Sequence, residues 1–292
     1  MSGRTRIGPA VFDWETRTFV MGILNITPDS FSGDGLLGPA AATAGATSLD
    51  GVAGAVAQAR TMVAEGADLL DVGGESTRPG HAPVDEEEEL RRVIPVVRAV
   101  REALPATPLT IDTTKPVVAA AALDAGADAI NDVWGVGPDP ALSRLAGERD
   151  VPIILMHNRA EARYTDLVGE VLGDLRQAVD AALVAGVKEG NILVDPGIGF
   201  GKTAEQNLEL LRRLHELRAL SRPILLGTSR KSTLGKVLDM PPSERLEATL
   251  ATTALGIAAG VDIVRVHDLA ANVRAARMAD AIVRGSWHEA QA

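Results

Sequence analysis

Cysteine is absent from this 292-residue chain, so disulfide bridges, thiolate zinc sites and cysteine nucleophiles are all excluded. Aromatic residues make up only 3%, which disfavours an all-β sandwich and suits helices packed on strands. Positive charge is short as well. The formal net charge of −10 argues against nucleic acid or an anionic membrane as the main partner, although local basic clusters can still bind a small anion. No apolar run is long enough to span a bilayer. The opening "MSGRTRIGPAVFDWETRT" has no core of signal-peptide length, and Thr249–Val266 is broken by Gly260 and Asp262 into a helix and a strand. A cytoplasmic protein is expected. A nucleotide-binding loop is missing by one residue. "LVDPGIGFGKTAEQ" (Leu193–Gln206) ends in the Gly-Lys-Thr of G-x-x-x-x-G-K-[ST], yet the first glycine would fall on Pro196, which has no N–H to offer a phosphate.

What is present is a repeated unit. "EGADLLDVGG" from Glu65, "AGADAINDVWG" from Ala125 and "AGVDIVRVHD" from Ala259 share one grammar. In each, a glycine suited to a helix C-cap follows an Ala-rich stretch, a short apolar strand comes next, and a polar residue sits five positions after the glycine: Asp71, Asn131, Arg265. A looser copy, "AGVKEGNILVDPG" from Ala185, leads to Asp195. The runs "FVMGILNIT", "PLTIDTT", "PIILMHN" and "PILLGTSR" bring the set to eight strands with helical patterns between most of them. Such alternation means parallel strands with right-handed crossovers.

The expectation is a (β/α)8 TIM barrel in a single domain over residues 19–285, with an N-terminal extension 1–18 and a tail 286–292; a doubly wound sheet is the alternative. In a barrel the chemistry sits at the C-terminal ends of the strands. Those ends carry Asn25, Asp71, Asp112, Asn131 with Asp132, His157, Asp195, Ser229 to Lys231, and Arg265 to His267. A helix cap or a salt bridge would explain any one of them, but not the set.

Eight motifs, in order, resemble the dihydropteroate synthase family: "NITPDSFS", "DVGGESTRPG", "IDTTK", "NDV", "LMH", "DPGIGFGK", "GTSRKS" and "RVHD". The resemblance implies a barrel enzyme that joins 6-hydroxymethyl-7,8-dihydropterin diphosphate to 4-aminobenzoate and releases pyrophosphate, with Mg2+ as cofactor and a homodimer as assembly. It implies pterin binding by Asp112, Asn131, Asp195 and Lys231, of which Asp112, Asp195 and Lys231 are the catalytic set. An ionised carboxylate can accept two adjacent pterin N–H groups, which suits Asp195, with Lys202 packed nearby. Thr77, Arg78, Arg265 and His267 match the diphosphate anchors, and Asn25 the amide ligand of Mg2+. Pro28, Phe31, Phe200 and Ser232 match the 4-aminobenzoate subsite, with Ser232 opening a helix near the carboxylate.

Other segments read plainly. "VDEEEELRR" is an exposed helix start with Asp85 as cap and Glu88 at the capping-box position. Trp14 and Trp287 pack the chain ends onto the barrel floor. Two departures from the family pattern stand out: an Ala/Gly/Thr-rich tract from Pro39 to Leu49, expected to be mobile, and a short "NRAEARYTD" after "LMH". A Schiff-base role for Lys231, a related pterin-binding methyltransferase of methyltetrahydrofolate, and a non-catalytic pterin-binding homologue are the competing readings. "TSRKS" and "RVHD" argue against the methyltransferase, which needs no diphosphate anchors.

Overall fold

A computed structural model describes residues 3–26, 49–75, 84–137 and 139–285. A hairpin of β1 (Arg4–Ile7) and β2 (Ala10–Asp13) comes first. Strands and helices then alternate: β3 (Phe19–Asn25), α1 (Leu49–Ala64), β4 (Leu69–Gly73), α2 (Glu86–Ala103), β5 (Leu109–Asp112) and α3 (Pro116–Ala125). The series continues with β6 (Ala129–Asp132), α4 (Ala141–Arg149), β7 (Ile153–Met156), α5 (Leu167–Val184), β8 (Ile192–Asp195) and α6 (Ala204–Arg212). It ends with β9 (Leu225–Leu226), α7 (Ser232–Leu238), α8 (Leu246–Ala258), β10 (Ile263–Val266) and α9 (Leu269–Val283). The tract read as a mobile first loop lies outside the described residues up to position 48, and Leu49 begins α1.

Strands β3 to β10 form one parallel sheet in the order β8-β7-β6-β5-β4-β3-β10-β9. A bridge between Val194 and Ile224 joins the two end strands, and Val194 N–H donates to Pro223 O at 3.0 Å. The sheet therefore curls into a barrel, and the doubly wound alternative, whose edge strands never meet, is set aside. β9 is shorter than its apolar run suggests. Its approach is held by a side chain, since Ile224 N–H donates to the Asp262 carboxylate at 2.9 Å.

That bond belongs to the repeated unit. Gly66, Gly126, Gly186 and Gly260 all sit at positive φ, between 94° and 115° or so, where glycine ends a helix without strain. Two residues on, Asp68, Asp128 and Asp262 each accept the N–H at the start of the neighbouring strand, from Val20, Leu109 and Ile224. The G-x-D of the repeat is thus a helix stop followed by a strand-pairing clip. Lys188 takes the aspartate's place in the looser fourth copy.

Side chains alternate along a strand, so residues two apart share a face. At the bottom of the barrel that inner face is apolar: Phe19, Leu69, Ala129, Ile154, Leu193, Leu225 and Ile263 are buried together. Two positions on, it turns polar, with Asp71, Asn131, Asp195 and Arg265. The hairpin closes the bottom. Phe12 lies 4.7 Å from Phe19 and 5.5 Å from Trp14, ring centre to ring centre, so two of the four phenylalanines meet one of the three tryptophans there. Trp14 is at the floor as its sequence position suggested; Trp287 lies outside the described residues.

The larger core separates sheet from helices. On α2, Val93, Val96, Val97 and Val100 recur at helical spacing and are buried. Asp85 caps this helix, accepting Glu88 N–H at 2.8 Å. Glu88 itself pairs with Arg92. Glu89 departs from the exposed run read in the sequence: it is fully buried and receives Lys115 Nζ at 2.6 Å.

Candidate active site

Asp71 organises the polar layer. Its buried carboxylate accepts Arg265 Nε–H at 2.6 Å, Asn131 Nδ2–H at 3.0 Å and the Thr110 hydroxyl. Arg265 reaches further and donates from Nη2 to Asp112 Oδ2 at 2.8 Å. Asp112 Oδ1 is buried with no hydrogen-bond partner among the described residues. Burial pushes the Asp112 carboxyl up to about 7 against the pull of Arg265, with Asp71 and Glu89 adding to the push. An unpartnered buried carboxylate oxygen is costly unless a ligand donates to it.

Asp195 closes the far side. Its Oδ1 accepts Gly197 N–H at 2.7 Å, so the side chain does cap the turn that follows β8. Burial drives this carboxyl up to about 6, although the Gly197 bond, Lys231, Arg265 and Lys202 all draw it down. Gly227 leaves the space beside it open: a Cβ there would meet nothing nearer than Asp195 Oδ2, at 3.9 Å.

Two loops bring the remaining groups. Lys231 Nζ sits 3.9 Å above the centre of the Phe200 ring, a cation–π contact that joins the loop after β9 to the loop after β8. Arg230 is held in the left-handed region (φ 57°) and is pinned by Asp268 through two bonds, at 3.1 and 2.7 Å. Ser229 Oγ lies 2.9 Å from His267 Nδ1 and also accepts His267 N–H at 3.1 Å. Ser232 is the exposed first residue of α7, as its sequence position suggested.

The lysine of the failed nucleotide loop turns inward instead. Lys202 Nζ donates to Gly197 O and Phe200 O, both at 3.0 Å, and meets His157 Nδ1 at 2.9 Å. His157 Nε2 faces Asp174 Oδ2 at 3.1 Å, and Arg159 grips the same oxygen from Nε and Nη2. Burial pulls Lys202 down to about 7; burial and the Lys202 charge pull His157 down to about 3. His157 is therefore a neutral ring. Its Nδ1 accepts from Lys202, which leaves its proton on Nε2, toward Asp174.

Of the residues picked from the sequence, Asp112, Asn131, Asp195, Lys231, Phe200 and Arg265 come together, with His267 and Ser232 on the adjoining loops. Arg265, read as a diphosphate anchor, has its guanidinium between Asp71 and Asp112. Pro28, Phe31, Thr77 and Arg78 lie outside the described residues. Asn25 ends β3, paired in register with Gly73. Among the described residues no three acidic or histidine side chains cluster to hold a metal. One amide oxygen of the hard type that magnesium takes fits only an ion that draws its other ligands from water and phosphate. Asp71, the Lys202 cage and the Arg230–Asp268 clasp were given no role from sequence. The five-residue spacing after the repeat glycine put Asp71 on the polar rim, but its bonds to Arg265 and Asn131 join strands that the spacing does not pair.

The chain is similar to known proteins over nearly its whole length. The family described as "Pterin binding enzyme" matches residues 21–267. Dihydropteroate synthase of Clostridium beijerinckii is 48% identical over 96% of this chain and 99% of its own length; that of Bacillus subtilis is 47% identical over 96% and 94%. Among solved structures, dihydropteroate synthase from Clostridium difficile, obtained in the presence of pteroic acid, superposes with a TM-score of 0.86 at 49% identity, covering 94% of this chain and 99% of that one. The Xanthomonas albilineans synthase with 4-aminobenzoic acid gives 0.86 at 41% identity over 97% and 98%. From the motifs, the barrel and these relatives alike, the chain belongs to the dihydropteroate synthase family, transferases that condense 6-hydroxymethyl-7,8-dihydropterin diphosphate with 4-aminobenzoate.

Proposed function

We propose that this chain seats the pterin on Asp195, Asn131 and Asp112, lays the benzoate ring against Phe200, and holds the diphosphate with Lys231, Arg265 and His267, helped by Thr77 and Arg78. The observation that carries the reading is Asp112 Oδ1, a buried acceptor with no donor among the described residues, in the same layer as an Asn131 that gives one amide N–H to Asp71. That commitment orients Asn131 and leaves its oxygen to accept. A pterin edge, rich in N–H donors, is the complement of such a layer. Relatives solved with pteroic acid, 4-aminobenzoic acid and 7,8-dihydropteroate support these ligand classes.

In the reaction the carbon–oxygen bond to the diphosphate breaks first, and pyrophosphate leaves with its electron pair. The aniline lone pair then forms a bond to the pterin methylene carbon, and the nitrogen sheds its proton afterwards. Positive charge on the methylene is stabilised by the carboxylates of Asp112 and Asp195, a preorganised field rather than a base. Mg2+ held by Asn25, water and phosphate oxygens would neutralise the departing diphosphate. His157, turned to Lys202 and Asp174, takes no part as a base. Lys231 acts by charge above the Phe200 face, in place of the Schiff base considered from sequence.

Pro28 and Phe31 complete the benzoate wall from the first loop, so 4-aminobenzoate should bind only after pyrophosphate or the pterin diphosphate. A homodimer and a cytoplasmic location complete the proposal. Leu255 on α8 and Met278, Ile282 and Val283 on α9 are exposed apolar side chains on adjacent helices, which support self-association. No described helix is long and apolar enough to cross a membrane. The test is pyrophosphate release by purified protein given both substrates and Mg2+; absence of release overturns the reading. Tight 4-aminobenzoate binding to the protein alone would overturn the order of binding.

A further inference from the structure

We infer that Lys202 is a positioning residue for the 4-aminobenzoate subsite: its caged side-chain nitrogen fixes the loop that carries Phe200 and thereby the placement of Phe200 under Lys231. The inference rests on the proposed role of Phe200 as a wall for the benzoate ring.

Three acceptors surround Lys202 Nζ: His157 Nδ1, Gly197 O and Phe200 O. An ammonium has three donors, so the cage satisfies it. Two of the acceptors are backbone carbonyls of the loop itself, and the third anchors that loop to the end of β7. Behind His157, Asp174 on α5 and Arg159 complete a chain of charge-assisted bonds. The same two loops are stitched again by Tyr164 OH donating to Gly201 O at 2.8 Å. They lie so close that a Cβ on Gly201 would fall 2.3 Å from Arg159 O. The short segment after "LMH", which departs from the family pattern, is thus one jaw of the clamp.

Packing alone would not require a charge here, since burial makes the ammonium costly and methionine fills a similar volume. The two substrates should feel the clamp unequally. Asp195 is placed by strand β8, and its bond from Gly197 N–H spans only two residues. Phe200 has no strand to hold it. Its N–H donates to Gly197 O at 3.1 Å and its carbonyl accepts from Lys202.

Chemical rescue tests this directly, because Lys202→Cys would place a single thiol in a chain that has none. Alkylated in denaturant with 2-bromoethylamine and refolded, the variant regains an ammonium at lysine's reach. Alkylation with 1-iodopropane gives the neutral counterpart. We expect Lys202→Met and the propyl form to raise KM for 4-aminobenzoate about tenfold or more, while the dissociation constant of the pterin substrate moves by less than about threefold. The aminoethyl form should return KM to within about threefold of the unmodified protein carried through the same steps. Equal rescue by the propyl group, or a pterin affinity that falls as far as KM rises, overturns the inference. Phe200→Ala separates two failures. If it leaves KM untouched, the benzoate placement is wrong and the inference falls with it; if it raises KM while Lys202→Met does not, the inference alone falls.

Discussion

Arg265 and Asp71 form an ion pair across the inside of the barrel, with Nε 2.6 Å from Oδ2, the carboxylate fully buried and the guanidinium 18% exposed. Neither partner stands alone, since Asp71 also orients Asn131 and Arg265 also grips Asp112. Removing one side of a buried pair leaves the other charge without compensation, which costs more than the pair itself contributes. Asp71→Ala should therefore destabilise the fold by about 3–5 kcal/mol and abolish turnover by releasing Asn131. Urea titration gives the stability. A loss below about 1 kcal/mol would mean the pair is solvated and Asp71 is no hub.

Asp195→Asn should weaken pterin diphosphate binding by about 2–4 kcal/mol, because a charge-assisted acceptor becomes half donor. Calorimetry measures it. An unchanged dissociation constant would remove Asp195 from the pterin site.

The raised carboxyls make a pH prediction with a definite sign. Asp195 near 6 and Asp112 near 7 hold protons that the unfolded chain has already released. Their contribution to stability is therefore greatest in acid and is lost as the pH climbs from the ordinary carboxylate range through 6 to 7. A pterin that donates N–H groups to ionised carboxylates reverses the preference, so binding near pH 6 should release protons and tighten as the pH rises, levelling above about 8. Calorimetry in two buffers of different ionisation enthalpy counts the protons. Proton uptake, or no exchange at all, would contradict the assignment.

Chelation of Mg2+ should stop synthesis yet leave binding of a phosphate-free pterin almost unchanged, since Asn25 is assigned to the diphosphate side alone. Full synthesis in excess EDTA would end the metal role given to Asn25.

Ile282→Glu places a charge amid the exposed side chains of Leu255, Met278 and Val283. Sedimentation should show the wild-type chain as a dimer and this variant as a monomer, with the thermal midpoint little changed. A wild-type monomer at micromolar concentration would refute the assembly.

The repeat makes the barrel legible in the sequence: glycine stop, short strand, polar residue at the mouth. The same repeat was only half read. Asp68, Asp128 and Asp262 stood in plain view as G-x-D, but that a carboxylate could take the first N–H of a neighbouring strand depends on which strands are neighbours. Asp112, Asn131 and Asp195 could be picked because strand ends share one rim. Arg265 was placed on that rim and matched to phosphate, while its counter-charges come from β4 and β5, far away in sequence. Glu89 looked exposed within a run of four glutamates, and helical phase alone turned it toward Lys115. Lys202 lies near Asp195, as its place in the loop suggested, but its cage was not legible. Its three acceptors include two backbone carbonyls, which no pattern of side chains announces.

With Phe12, Trp14 and Phe19 stoppering the N-terminal ends of the strands, the barrel is a flask with one neck. A pterin held by Asp195 and Asn131, as proposed, would lie at the bottom of that neck. A benzoate settling near Phe200 and Ser232 would block its way out. An order of arrival would then follow from the shape of the vessel.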